Sequence, residues 1–294
     1  MITFENVTKR YGGRTAVDNL TFAVPEGSVT AFLGPNGAGK STAMRVLAGL
    51  TRADSGSARV AGRSVTELPN PGREVGLMLD ASALHRGRTC LETVRLAASV
   101  TGVGDPRAVL RAVGLEAAAG RRVGACSLGM RQRLGLAVAL VGRPRALVLD
   151  EPFNGLDPEA IHELRGVLRE FAAGGGAVLL SSHLLGEVQS AADRLVVISR
   201  GRLVAAGPAD ELTSAGATRV RAADPAALER ALVVGGLVPE PQPGGWFPVT
   251  ATTGEVGALT LAAGIPLTGL EEGRAGLEEL FLSLTTTDPA RAAA

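Results

Sequence analysis

Cysteine is scarce in this chain: 294 residues contain two, Cys90 and Cys126, with no CxxC or Cys/His spacing. That excludes a disulfide framework and a thiolate zinc site, and it fits a reducing cytoplasm. An excess of charge of either sign is also lacking. Thirty basic residues face 29 acidic ones for a net charge of +1, so no global field draws the chain to nucleic acid or to a bilayer, and no nucleic-acid partner is expected. Long hydrophobic runs are missing too. The uncharged stretch Val256 to Leu270 is interrupted by Gly and Pro and falls short of the about 20 apolar residues that a membrane span needs. The opening MITFENVTKRYGG carries an acid and no apolar core, so it does not read as a leader peptide. Work at a membrane therefore requires the membrane part from another chain. No motif repeats, and no heptad pattern is sustained.

What is present is ordinary globular composition, 46% hydrophobic and 20% charged, with length enough for one large domain and one small one. ITFENVTKRY, LTFAVPEG and SVTAFLG read as strands, and the last runs through a Gly-rich loop into the helical pattern STAMRVLAGL. From about residue 81 to 142 the chain looks mostly helical, with LETVRLAASV, PRAVLRAVGL and MRQRLGLAVALVG as candidates. Strands return as RALVLDE, GAVLLSS and RLVVISRGRLVAAG, with the helix PEAIHELRGVLREFA between the first two. This alternation predicts an α/β fold around a largely parallel, covered sheet. Composition shifts near residues 211–218. Beyond it the order β-α-β-β-α-β, with TRVRA, GLVPE, WFPVT and IPLTGL as strands, predicts a small α+β, ferredoxin-like domain closed by the helix GLEELFLSL. The expected domains are 1–212 and 213–294.

The decisive stretch is GPNGAGKST, made of Gly34, Pro35, Asn36, Gly37, Ala38, Gly39, Lys40, Ser41 and Thr42, which fits the phosphate-binding pattern G-x-x-x-x-G-K-[ST]. Glycines let the backbone curl its N–H groups toward phosphate oxygens, and the following helix adds its positive N-terminus. Lys40 supplies a charge for the β- and γ-phosphates, Ser41 a hydroxyl for Mg²⁺, and Thr42 lies within reach of the phosphates. RALVLDEPFNGLDP ends an apolar run in acid. Asp150 at the strand tip can hold Mg²⁺ through water, and Glu151 can orient and deprotonate the attacking water. Alone, such a pair is more often a solvated turn or a helix cap; beside the phosphate loop it reads as catalytic. One stretch stays open on its own residues. GACSLGMRQRLGLA, residues 124–137, is either a capped helix with a solvated basic face or a helix whose N-terminus binds an anion.

Together these motifs resemble the ATP-binding cassette of ABC transporters, in the expected order over about residues 1–207. The resemblance implies a P-loop NTPase fold with a sheet core and a helical subdomain at about 81–142, ATP hydrolysis with Mg²⁺, and Tyr11, the only tyrosine, stacked on adenine. It also places Cys126, Ser127, Leu128, Gly129 and Met130 at the five positions of the signature LSGGQ. Ser127 and Gly129 are kept, and they face the γ-phosphate of ATP on an opposite subunit in a head-to-tail dimer. The D-loop at Gly155, Leu156 and Asp157 crosses that interface, and His183 stands at the switch position beside Glu151. His85 and His162 read as structural. A glutamine that touches Mg²⁺ in the family has no counterpart in GLMLDASAL, where Asp80 stands near its place. The implied partners are separate polytopic membrane permease subunits and a second cassette, identical or paralogous, at the cytoplasmic face of the membrane. Export resembling that of antibiotic, lantibiotic and multidrug systems is the expected direction. An importer ATPase, or a soluble cassette acting on ribosomes or DNA, is the alternative.

Overall fold

The computed structural model describes residues 1–80, 83–182, 191–213, 217–239 and 241–273. They divide into two compact units, one over Met1–Pro208 and one beginning at Ala209.

The first unit opens with β1 (Ile2–Tyr11) and β2 (Arg14–Val24), an antiparallel pair joined through Gly12-Gly13 with Tyr11 opposite Arg14. A two-residue Gly-Gly link suits the tight hairpin turn. β3 (Ser28–Leu33) runs into a loop and then α1 (Lys40–Leu47), and β4 (Ser55–Val60) pairs with the other side of β1. After β5 (Val75–Met78) come three helices, α2 (Cys90–Thr101), α3 (Pro106–Ala112) and α4 (Leu128–Leu140). They start where the sequence offers caps: Thr89 with Glu92 in a capping box, Asp105, and Ser127. The chain then alternates through β6 (Ala146–Leu149), α5 (Pro158–Ala173), β7 (Ala177–Ser181), β8 (Arg194–Ser199) and β9 (Arg202–Pro208).

The main sheet has the order β5-β6-β7-β3-β8-β9. Its first five strands are parallel, and β9 is antiparallel at the edge. β3, β6 and β7 are buried at every position, as strands covered on both faces must be. The run RLVVISRGRLVAAG, expected as a strand, is a hairpin: β8 and β9 turn at Arg200 and Gly201, whose φ values are 50° and 80°. β1, β2 and β4 form a second, antiparallel sheet. Phe4 stacks on Phe22 with ring centroids 4.5 Å apart, and Phe22 lies 5.2 Å from Phe32 of β3, so one aromatic row ties this sheet to the main one.

In parallel register, Leu149 pairs with Leu180, and Ser181 with Phe32. The carboxyl ends of β6, β7 and β3 therefore open side by side, where ligands of such sheets bind.

The second unit contains α6 (Ala209–Thr213), β10 (Ala217–Ala222), α7 (Pro225–Val234), β11 (Phe247–Thr250), α8 (Thr253–Ala262) and β12 (Leu267–Gly273). β10 lies antiparallel between β11 and β12, and Val220, Leu228, Leu232, Phe247, Val249 and Val256 form its core. The order matches strands 3, 1 and 4 of a ferredoxin-like sheet. The expected second strand, GLVPE, does not form over its described residues 236–239, and Val238 is 81% exposed. Pro239, Pro241 and Pro243 remove every second N–H of the segment, which a sheet edge cannot spare for its ladder. The expected helix GLEELFLSL lies outside the described residues.

Candidate functional site

At the carboxyl ends of the parallel strands lies a cleft of about 540 Å³, lined by Tyr11, Arg14, Ala16, Asn36 to Thr42, Asp150 and Glu151. Its floor is the loop between β3 and α1. That loop is fixed by backbone bonds from Ala38 N–H to the Pro35 carbonyl and from Gly201 N–H to the Ala38 carbonyl. Gly39, at φ 108°, is the N-cap of α1, and a Cβ there would run into the Ala16 carbonyl. Only glycine takes that conformation at that approach. Gly34 packs under the loop against the Ile198 carbonyl.

Lys40 begins α1 and is only 7% exposed. Its ammonium donates to the carbonyls of Gly34 and Pro35. Burial pushes its pKa below the ordinary value, and the charges of Glu151 and Asp150 partly offset this. A desolvated cation held between carbonyls and two carboxylates is suited to taking up phosphate oxygens.

Asp150 and Glu151 follow β6. The Ser181 hydroxyl at the end of β7 donates to Asp150 Oδ1 and accepts from the Glu151 N–H at 3.0 Å. Glu151 adopts φ 52°, a left-handed conformation rare for a side chain of this kind. Bonds on both sides hold it there, since its carbonyl also accepts from Asn154 N–H at 3.2 Å. Such held strain is common at functional sites.

Tyr11 sits at the hairpin tip, 49% exposed, with Lys9 Nζ 5.3 Å from its ring centroid. It is not packed under the sheet, so a ring face is available for stacking. Arg14, opposite it, also lines the cleft. Neither composition nor a phosphate-loop pattern singles out Arg14; the Gly-Gly turn that pairs it with Tyr11 was the available signal.

Two oxygen donors, the exposed Ser41 hydroxyl and the Asp150 carboxylate, share the cleft. Among the described residues no group of three or more His, Cys, Asp or Glu side chains is placed to hold a metal. Few hard oxygen ligands beside a phosphate cradle fit Mg²⁺, which is typically held by one or two carboxylates and substrate phosphates. Asp80 lies exposed just past β5, outside the set that lines the cleft. His183 lies outside the described residues.

The remaining sequence-predicted residues lie at the start of α4 and in the turn after Glu151. Ser127 caps α4 by accepting from Met130 N–H at 3.2 Å. Leu128 is 43% exposed, and Met130 Sδ accepts from Arg121 at 3.5 Å. Asp157 caps α5, accepting from Ala160 N–H at 2.8 Å.

Comparison with known proteins agrees with this arrangement. A family model described as ABC transporter matches residues 17–154. The lantibiotic transport ATP-binding protein SrtF of Streptococcus pyogenes is 38% identical over 69% of this chain and 89% of its own length. The daunorubicin resistance ATP-binding protein DrrA2 of Streptomyces coeruleorubidus is 36% identical over 96% of this chain and 94% of its own, so that likeness runs through both units. A solved structure described as an ATP-binding subunit of an ABC transporter aligns at a TM-score of 0.67 and 30% identity, covering 72% of this chain and 91% of the other. By these likenesses the chain belongs to the ABC transporter family as an ATP-binding, ATPase subunit.

Proposed function

We propose that this chain powers export through separate membrane subunits by binding and hydrolysing ATP with Mg²⁺ as one half of a cassette dimer. One cleft gathers Tyr11, the phosphate loop, Lys40, Asp150 and Glu151, and that convergence carries the proposal. Tyr11 stacks on the adenine, the N–H groups of residues 36–42 cradle the phosphates, and Lys40 neutralises the terminal ones. Ser41 and Asp150 would hold Mg²⁺, which would help neutralise the charge of the β- and γ-phosphates. Glu151 orients the attacking water and accepts its proton. Ser127 and Gly129, at the N-terminus of α4, face the γ-phosphate of ATP on the second cassette. ATP thereby favours the closed dimer by contacting both halves, and loss of the γ-phosphate reopens it.

Export is supported by the relatives' names: lantibiotic and bacitracin transport, daunorubicin resistance, and Nod factor export. Among the described residues no helix is long and apolar enough to cross a membrane, which agrees with membrane subunits on other chains. A docking place for them is offered by an apolar groove of about 520 Å³ between β5 and α2, with Leu77, Leu96, Val100 and Val138 in its walls. The test is Glu151→Gln. The variant is expected to bind ATP, hydrolyse it hardly at all, and accumulate as an ATP-bound dimer that copurifies with a polytopic membrane protein from detergent extract. Unimpaired turnover refutes the base, and recovery with ribosomes refutes transport.

A further inference from the structure

The signature helix α4 is bolted to the turn that carries the acid pair of its own chain. Three contacts make the joint. Gln132, one helical turn into α4 and 9% exposed, donates from Nε2 to the Asn154 carbonyl at 3.3 Å and reaches the Glu151 carbonyl at 3.5 Å. Leu128 packs on Gly155, where any Cβ would collide with it. Gly129 lies against Leu156, whose Cδ2 comes within 3.2 Å of where a Cβ on residue 129 would stand. The other side of the turn is held by Ser181 at the Glu151 N–H. Glu151 at φ 52° is thus pinned through its carbonyl from α4 and through its amide from β7.

Gln132 is half used. Its Nε2 has partners, while Oε1 is buried with none. An apolar side chain of the same shape would fill this place without leaving an unpaired acceptor, so packing alone does not account for glutamine here. The donor to the turn does.

We propose that Gln132 is a positioning residue for Glu151, acting through the Glu151–Asn154 backbone, so that the signature helix and the base of the same chain move as one body. This rests on Glu151 being the base. Its consequence is a link between the two ATP sites of a dimer. The ATP that engages Ser127 and Gly129 belongs to the opposite cassette, whereas the base tied to that helix serves the chain's own ATP. Occupancy of one site is then felt as carboxylate placement in the other.

The test is ATPase kinetics of Gln132→Met, which keeps the shape and loses the donor. We expect kcat to fall by about tenfold or more while KM for ATP stays within about twofold, since no contact of the phosphate loop is touched. In single-turnover measurements Gln132→Met should slow the Glu151→Gln protein no further, because the effect runs through that carboxylate. Gln132→Lys keeps a donor and discards the unpaired acceptor, and it should recover most of the rate that Gln132→Met loses. An unchanged kcat, a matching rise in KM, or an undiminished effect in the Glu151→Gln background overturns the proposal. If Gln132→Met does not fold, Gln132→Lys against Gln132→Glu decides: the donor-bearing variant must be the faster. Full activity of Glu151→Gln alone overturns the base, whereas a normal loss there with a silent Gln132→Met overturns only the coupling.

Discussion

Replacing Ser181 with alanine tests how the acid pair is held. Its hydroxyl is fully buried at the end of β7 and serves two groups at once, donating to the Asp150 carboxylate and accepting from the Glu151 N–H. A hydrogen bond to a charged group contributes about 1.5–3 kcal/mol and a neutral one about 0.5–1.5 kcal/mol. Losing both should cost about 2–4 kcal/mol. For a unit of this size that lowers the midpoint of thermal unfolding by about 4–16 °C, readable by scanning calorimetry. The catalytic effect has a separate source. Glu151 at φ 52° lies in a region that costs a non-glycine residue about 1–3 kcal/mol. With its amide released, the residue can relax and take the carboxylate with it. A shift of about 1.4–2.7 kcal/mol toward the relaxed form lowers kcat by about ten- to a hundredfold, with KM for ATP nearly unchanged because Lys40 and residues 36–42 keep their places. A Ser181→Ala protein with wild-type melting and wild-type kcat would refute this account of how the pair is placed.

Gly39→Ala forces a Cβ into the Ala16 carbonyl at φ 108°. It should weaken ATP binding by about tenfold or more, measured with a fluorescent ATP analogue, while the far-UV spectrum is kept. Asp54 accepts from Arg10 N–H at 2.6 Å and from Lys9 Nζ at 3.1 Å, and these two bonds, the backbone one first, hold its pKa below the ordinary 3.8. With a depressed folded-state pKa, its stabilising effect is complete above 3.8 and is lost as pH falls through the folded value. The melting difference between wild type and Asp54→Asn should therefore be present at neutral pH and vanish in strong acid. A difference that persists there would refute the ionic origin. Met130→Gln restores the amide that the family signature has at this position, and it should raise ATP-dependent dimerisation of the Glu151→Gln protein by about threefold or more, measured by light scattering. No change would show the position to be idle.

The phosphate loop was legible because its chemistry is written in residue type at fixed spacing: glycines where the backbone must take rare angles, then lysine and hydroxyls at the helix start. The acid pair was legible because an apolar run that stops in two carboxylates reads as a buried strand reaching a polar edge once a phosphate loop stands beside it in the same chain. The hairpin of β8 and β9 was hidden inside one apolar run, since Arg200-Gly201 carries little periodicity signal. Arg14 was missed for a related reason: an exposed arginine on a hairpin has no pattern until the turn sets it opposite Tyr11. Contacts such as Leu128 on Gly155 are beyond any local reading, because they join residues on separate elements through shape alone.

The stretch 124–137 shows how two local readings combine. Ser127 is an N-cap, as the plainer one holds, but among the described residues its hydroxyl takes only Met130 N–H, and the first N–H groups of a helix have no acceptor within it. A cap and an anion site are therefore compatible at this helix start. The solvated basic face does not. Arg131 is turned back on the Cys126 carbonyl at 2.6 Å, and Arg133 reaches Glu163 at 3.5 Å. The arginines fasten the helix start to its own loop and to α5, while Gln132 fastens it to the turn of Glu151. Neither Arg131 nor Gln132 is then left to stand in for the amide that Met130 lacks. On the proposed function, the departure at Met130 is expected to weaken what α4 offers a second cassette while leaving its hold on its own chain intact, and restoring glutamine there separates the two.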